Sequence, residues 1–179
     1  MSDTTAWADV DVRGFVRRAC IGCDVPDTER LVVAGGALDA PDSVFHEIVV
    51  RSVVERLPAE DLLRFWRELY RVCKKDAVVL VAGVYWSHVD AHADPTRLRG
   101  LSERMFAYLS AAGREIVEED ICGDDFVTAQ LAGVEFAVKK VVRATEQEWE
   151  SRSDEAKNWG LSHSLNVARW LEVTLVAVK

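Results

Sequence analysis

The stretch from Pro41 to Val81, PDSVFHEIVVRSVVERLPAEDLLRFWRELYRVCKKDAVVLV, constrains the fold more than any other part of the chain. Phe45 to Val50 is a compact apolar run rich in β-branched residues, and Val78 to Ala82 is a second. Between them Leu57, Leu62, Leu63, Phe65, Trp66, Leu69, Tyr70 and Val72 recur at helical spacing, while Glu60, Asp61, Arg64, Arg67 and Glu68 fill the other positions. The pattern reads as strand, turn, amphipathic helix, basic turn, strand. Continuously apolar strands flanking an amphipathic helix are what a parallel sheet buried on both faces requires, so an α/β fold is expected.

Elsewhere the signals are shorter. Val10 to Val16, Ala19 to Val25 and Leu31 to Ala34 each predict a short strand, and Asp39 to Ser43 has turn composition. A long polar connection runs from Trp86 to Leu98. Ser102 is placed to cap a helix through Ala112, with Glu103 in its first turn and Gly113 ending it. Ile116-Val117 and Phe126-Val127 are short apolar pieces around an acidic loop. Val134 to Arg143 alternates as an outer strand does, Thr145 to Ala156 favours helix, Trp159 to Asn166 reads as a connection, and Arg169 to Val178 as the last strand. Trp149, Trp159 and Trp170 lie in or beside that linker, and three large aromatics in a polar segment are expected to pack on the sheet or on a partner subunit.

Bulk properties narrow the function classes. The 179 residues are 49% hydrophobic with a net charge of −8, and no apolar run is long enough to span a bilayer. An acidic balance without a Lys/Arg block argues against nucleic acid as a partner; Lys139, Lys140 and Arg143 are the densest cluster and alternate with apolar residues. The polar, acidic first residues do not read as a secretory leader, and a cytoplasmic location is expected. Cys20, Cys23, Cys73 and Cys122 are then expected as free thiols. Cys20 and Cys23 have CxxC spacing, but a tetrahedral zinc site needs a second ligand pair, so no metal is expected.

Phe45-His46-Glu47-Ile48-Val49-Val50, then Val54-Glu55-Arg56-Leu57-Pro58, then Arg67-Glu68 leading to Arg71-Val72-Cys73-Lys74, resembles the second half of class I S-adenosylmethionine (SAM) dependent methyltransferases. The correspondence is to their fourth strand, the following helix and the fifth strand. It extends through Tyr85-Trp86-Ser87-His88 and Asp94-Pro95-Thr96-Arg97-Leu98-Arg99 to the final strand, Trp170 to Val178. The resemblance implies one domain over residues 1–179: a Rossmann-like, mostly parallel sheet with a C-terminal antiparallel strand pair, reduced at its N-terminus.

It also implies a SAM site, with a glycine turn after the first strand, an acidic residue on the ribose after the second, and a polar residue on the adenine after the third. No GxGxG is present. One register makes Ala8 to Val12 the first strand and Cys20 to Asp24 the second, which assigns Gly14 to the glycine turn, Asp24 to the ribose and Asp39 to the adenine. Glu55 then falls beside the sulfonium. Only about six residues would separate the first two strands, whereas a parallel crossover with a helix needs roughly 10–12. A second register puts Asp11 at the ribose and leaves no first strand. His46 in place of Asp, Arg56 in place of His, and Lys74-Lys75-Asp76-Ala77 in place of a Lys-Pro-Gly-Gly turn depart from the family in the same direction.

Candidate chemistry follows the fifth strand, where α/β folds present their loops. His88 or His92 is placed to act as a base with Asp94 orienting it, and Tyr85 and Trp86 to contact a substrate. The His88-x-x-x-His92 spacing would suit metal ligation on a helix, but Asp94-Pro95 argues against a helix there. Arg97 and Arg99 can grip an anion, although surface ion pairs are the commoner use of such arginines. Three readings stay open. The chain is a degenerate methyltransferase-like protein acting as a partner or scaffold subunit, in a hetero- or homo-oligomer. Or it is a divergent SAM-dependent enzyme with a small-molecule or sugar-like substrate, or a repurposed fold whose chemistry needs no SAM.

Overall fold

The computed structural model describes residues 17–115 and 125–179. The strands within them are β1 (Arg18–Ile21), β2 (Glu29–Arg30), β3 (Val33–Ala34), β4 (Ala37–Leu38), β5 (Phe45–Arg51), β6 (Cys73–Val84), β7 (Phe136–Thr145) and β8 (Ala168–Ala177). Six of them form one sheet in the order β2-β1-β5-β6-β8-β7. β2, β1, β5 and β6 run parallel, and β8 is antiparallel to both of its neighbours. β3 and β4 form a separate hairpin. The mostly parallel sheet with a terminal antiparallel pair is the architecture the resemblance implies. β7 stands at the edge, as its alternation suggests. The predicted strand Val10–Val16, the apolar pair Ile116-Val117 and Cys122 lie outside the described residues.

Helix α1 (Ala59–Val72) forms where the periodicity places it. Pro58 at its N-cap has the fixed φ a helix start tolerates, and Glu60 and Asp61 complement the dipole in the first turn. Its Leu62, Phe65, Trp66, Leu69 and Val72 are buried. They pack against Ile48 and Val50 of β5 and Val79 and Val81 of β6 in one core cluster that also takes Leu171, Val173 and Leu175 of β8. Full burial of one such side chain stabilises by about 1.5–3 kcal/mol. Arg71 in the last turn donates to the carbonyls of Leu38 (3.1 Å) and Ala40 (2.8 Å) and to Glu68 (2.8 Å). It thereby ties the segment after β4 to the end of α1.

Other short helices are α2 (Asp90–Ala93), a 3-10 helix (Glu103–Leu109), α3 (Asp125–Gln130), α4 (Gln147–Glu150) and α5 (Asp154–His163), and residues 111–115 are helical too, with Gly113 inside that turn rather than ending it. Four expectations need correcting. The helix expected from Ser102 is a 3-10 helix without a side-chain cap, because Phe106 and Leu109, three apart, seat it on the core. The expected connection from Trp159 is the second half of α5, which Ser153 caps by accepting from the Ala156 N–H at 3.2 Å. A helical turn, α2, does form ahead of Asp94-Pro95, ending at Ala93 as the proline dictates. Lastly, the strand expected over Cys20 to Asp24 ends at Ile21, since Gly22 adopts φ +74°. β1 pairs with β5 and so takes the place of the first strand, leaving the second place to β2.

The two faces of the sheet differ. Ala19, Ile48, Val50, Val79, Val81, Val173 and Leu175 face the core and are buried. Alternation puts Glu47, Val49, Val78, Leu80, Thr174 and Val176 on the other face, where all are half-buried. Apolar side chains of α1, the 3-10 helix, α3 and α5 all join the core cluster on the first face. No helix among the described residues is long and apolar enough to cross a membrane.

Candidate functional site

In a parallel sheet the connections after the strands gather at the carboxyl ends. Here that end is formed by Gly22 to Asp24 after β1, Ser52 to Pro58 after β5, and Tyr85 to Leu101 after β6. Glu55 is its most unusual group. The residue is fully buried, and its Oε1 accepts the Val84 N–H at 3.0 Å. Its Oε2 has no partner among the described residues. Burial pushes the carboxyl above its ordinary range, against the backbone N–H groups and the nearby Arg97 and Arg56. A Cβ on Gly83 would collide with Glu55 Oε1, so the glycine is what lets the carboxylate lie over β6. Chemically this is a carboxyl that holds a proton more readily than a solvated one.

The loop after β5 is clasped by the segment after β6. The Leu98 N–H donates to Glu55 O at 2.8 Å, and Arg99 Nη1 donates to Val54 O at 3.0 Å. Burial lowers the Arg99 pKa from its ordinary value, and the guanidinium also reaches Leu57 O. Arg97 Nη1 donates to Asp90 O at 2.8 Å, whereas its buried Nε has no partner among the described residues. Arg99 thus serves the chain's own backbone, and Arg97 keeps one free donor. Tyr85 is buried with its hydroxyl 3.4 Å from Glu103, and Trp86 is exposed.

His88 and Asp94 are each held by other partners rather than by one another. His88 is buried; its Nδ1 accepts the Asp90 N–H at 3.1 Å, so the proton is on Nε2, which faces Glu146 at 3.1 Å. Asp90 Oδ2 lies 3.6 Å from His88 Nδ1. Asp94 instead accepts from Thr96 N (2.9 Å), Thr96 Oγ1 (2.7 Å) and Arg56 (2.7 Å). The hydroxyl and N–H of Thr96, then Arg56, bring the Asp94 pKa down to about 2. His92 is exposed, and His88 precedes α2, so the two do not share a helix face.

Of the residues the resemblance assigns to SAM, Asp24 and Glu55 follow strands at the carboxyl end of the sheet and Asp39 does not. Gly14 lies outside the described residues. Asp24 follows β1 in an exposed turn with its carboxylate 3.3 Å from Arg30. Asp39 is at the other end of the sheet, between the Leu38 and Ala40 carbonyls that Arg71 holds. Gly22, not singled out by the sequence, is the glycine after the first strand. A Cβ there would strike Arg51 O and come within 2.6 Å of Val53 Cγ2, so its freedom is used to seat β1 on β5. Glu146 was missed too, because a partner 58 residues from His88 leaves no local signal. Cys20, Cys23 and Cys73 are free thiols. Burial raises the thiols of Cys23 and Cys73, the latter to about 12.

No protein-family model matches the sequence, and no curated protein matches it either. Solved structures do match in shape. A SAM-dependent methyltransferase from Archaeoglobus fulgidus superposes with a TM-score of 0.55 at 12% identity, over 90% of this chain and 86% of its own. The YcgJ protein of Bacillus subtilis superposes with a TM-score of 0.50 at 13% identity, over 87% of this chain and 73% of its own. The chain has a class I methyltransferase-like fold.

Proposed function

We propose that this methyltransferase-like protein carries out no SAM-dependent methyl transfer of its own and works as the partner or scaffold subunit of another polypeptide. The observation that carries this reading is the join between β1 and β2. The two are parallel, yet only the seven residues 22–28 connect them, with no helix. A dinucleotide-like cofactor is cradled by the turn and helix N-terminus after the first strand, and that helix is missing from the connection. Asp39 on the wrong end of the sheet and Asp24 beside Arg30 support the same reading. These residues do not fit a bound SAM. The half-buried face bearing Val49, Val78, Leu80 and Val176 supports the scaffold role, since a mostly parallel sheet is ordinarily covered on both sides.

Titration calorimetry with SAM and with S-adenosylhomocysteine tests it. No heat of binding at millimolar ligand is expected. Micromolar binding of either compound would overturn the proposal. It would favour the second reading, an active divergent enzyme acting on a small molecule, whose support is the buried Glu55 carboxyl at the carboxyl ends of β5 and β6.

A further inference from the structure

At the amino ends of β1, β5 and β6, opposite the site above, lies a cavity of about 860 Å³. Arg17, Arg18, Ser43, His46 and Lys74 are among its lining residues. Most of its charges are already matched: Arg17 is paired with Glu29, and Arg18 lies 2.6 Å from Glu47. Lys74 has no carboxylate partner among the described residues. Its Nζ lies 3.2 Å from His46 Nε2.

That contact cannot be satisfied as it stands. His46 Nδ1 faces the Arg17 N–H at 3.2 Å, and an ammonium is a donor only. An uncharged imidazole accepts at one nitrogen and donates at the other. If Nδ1 accepts from Arg17, then Nε2–H points at the Lys74 ammonium, donor against donor. If Nε2 accepts from Lys74, the same clash moves to Arg17. Either tautomer leaves one donor without an acceptor.

Ser43 adds a third donor. Its Oγ accepts from Lys179 Nζ at 3.1 Å, which leaves the hydroxyl proton free to point elsewhere. Lys179 itself is held otherwise by the backbone carbonyls of Arg71 and Cys73, so its charge too has no carboxylate partner among the described residues. Of the acidic lining residues, Glu29 is taken by Arg17, and Asp27 is exposed in a turn at φ 57°.

We infer that this cavity is an oxyanion site, in which an oxygen of a phosphate or carboxylate group accepts from His46 Nε2–H and Lys74 Nζ together. The shared oxygen removes the donor–donor contact with the Nδ1-accepting tautomer in place, and the Ser43 hydroxyl is left to reach a second oxygen. The site sits at the far end of the sheet from Glu55, and it stands or falls independently of SAM binding.

Titration with inorganic phosphate, and separately with acetate, at constant ionic strength tests the inference, with the His46 ring proton shifts followed by NMR. At least one anion is expected to bind at one site and to move the His46 signals, and the stronger of the two identifies the ligand's acid group. Lys74→Met should weaken that binding by at least about tenfold, as loss of a charge-assisted hydrogen bond does. Lys74→Arg, which keeps the charge, should retain it within a few fold and shows that a loss in Lys74→Met is not misfolding. Unmoved His46 signals with both anions, or equal affinity in wild type and Lys74→Met, would overturn the inference.

Discussion

Among the described residues, every strand from Phe45 onward is at least seven residues long, whereas the four strands before it have four, two, two and two residues. The later strands hold one another through long ladders: β6 and β8 pair continuously from Val78↔Val176 to Val84↔Trp170. The earlier ones depend on special backbone. Among the described residues, five of the nine in the left-handed region, Gly22, Asp27, Gly35, Gly36 and Ser43, precede Phe45. One region is specified by side-chain burial, the other by turn conformation. The first resists substitution through its core, while the second hangs on individual φ values.

The largest expected effect lies in the core. Phe65→Ala should destabilise the protein by about 3–5 kcal/mol, because it empties a fully buried site that cannot collapse. Val33→Ala in the half-buried hairpin should cost less than about 1 kcal/mol. Denaturant unfolding of both variants checks the contrast, and equal losses would break it.

Gly22→Ala comes next. A left-handed non-glycine costs about 1–3 kcal/mol, before the clash with Arg51 O is counted. Hydrogen exchange should show faster exchange in β1 and β2 and little change in β8. Uniform acceleration across the sheet would mean that the two regions unfold as one.

Glu55 links the regions to pH. Its folded pKa is raised, so between the unfolded and folded values the native state binds more protons, and stability falls as pH rises through that window. Glu55→Gln should flatten this slope, read as the melting temperature of variant minus wild type increasing from acid toward neutral pH. A constant difference would remove Glu55 as the cause.

The smallest effect is at Asp94, where the sign reverses. A pKa lowered to about 2 contributes stability that is present above the ordinary carboxylate range and is lost on acidification. Asp94→Asn should therefore cost a little at neutral pH and nothing at the acid end, with Arg56 and Thr96 exposed to solvent on either side.

This division also explains what was legible in the sequence. The β5-α1-β6 unit announces itself because the apolar spacing at Leu62, Phe65, Trp66 and Leu69 is long enough to be periodic, and β7 and β8 follow for the same reason. β1 and β2 are too short to show a period, and what ends β1 is the φ of one glycine. Site residues were harder. Glu55 was placed after the right strand, but its burial comes from Gly83 and Val84, nearly thirty residues on. The position of Asp39 was not legible because the Arg71 grip on its neighbours is a tertiary contact. The partners of the histidine–aspartate cluster were hidden for a related reason: His88 finds Glu146 and Asp94 finds Arg56, both distant in sequence.

The place of β8 bears on how the molecule is made. It follows β7 in sequence, yet it lies between β6 and β7, and it is the strand neighbour of β7. On the ribosome β7 therefore emerges with no ladder to join and waits until Ala168 to Ala177 have been synthesised and released from the exit tunnel. Lys179, whose ammonium grips the carbonyls of Arg71 and Cys73, follows directly after that strand. Without Ala168 to Ala177 the sheet would stop at β6 and leave β7 with no strand to pair with, a product for quality-control proteases to clear.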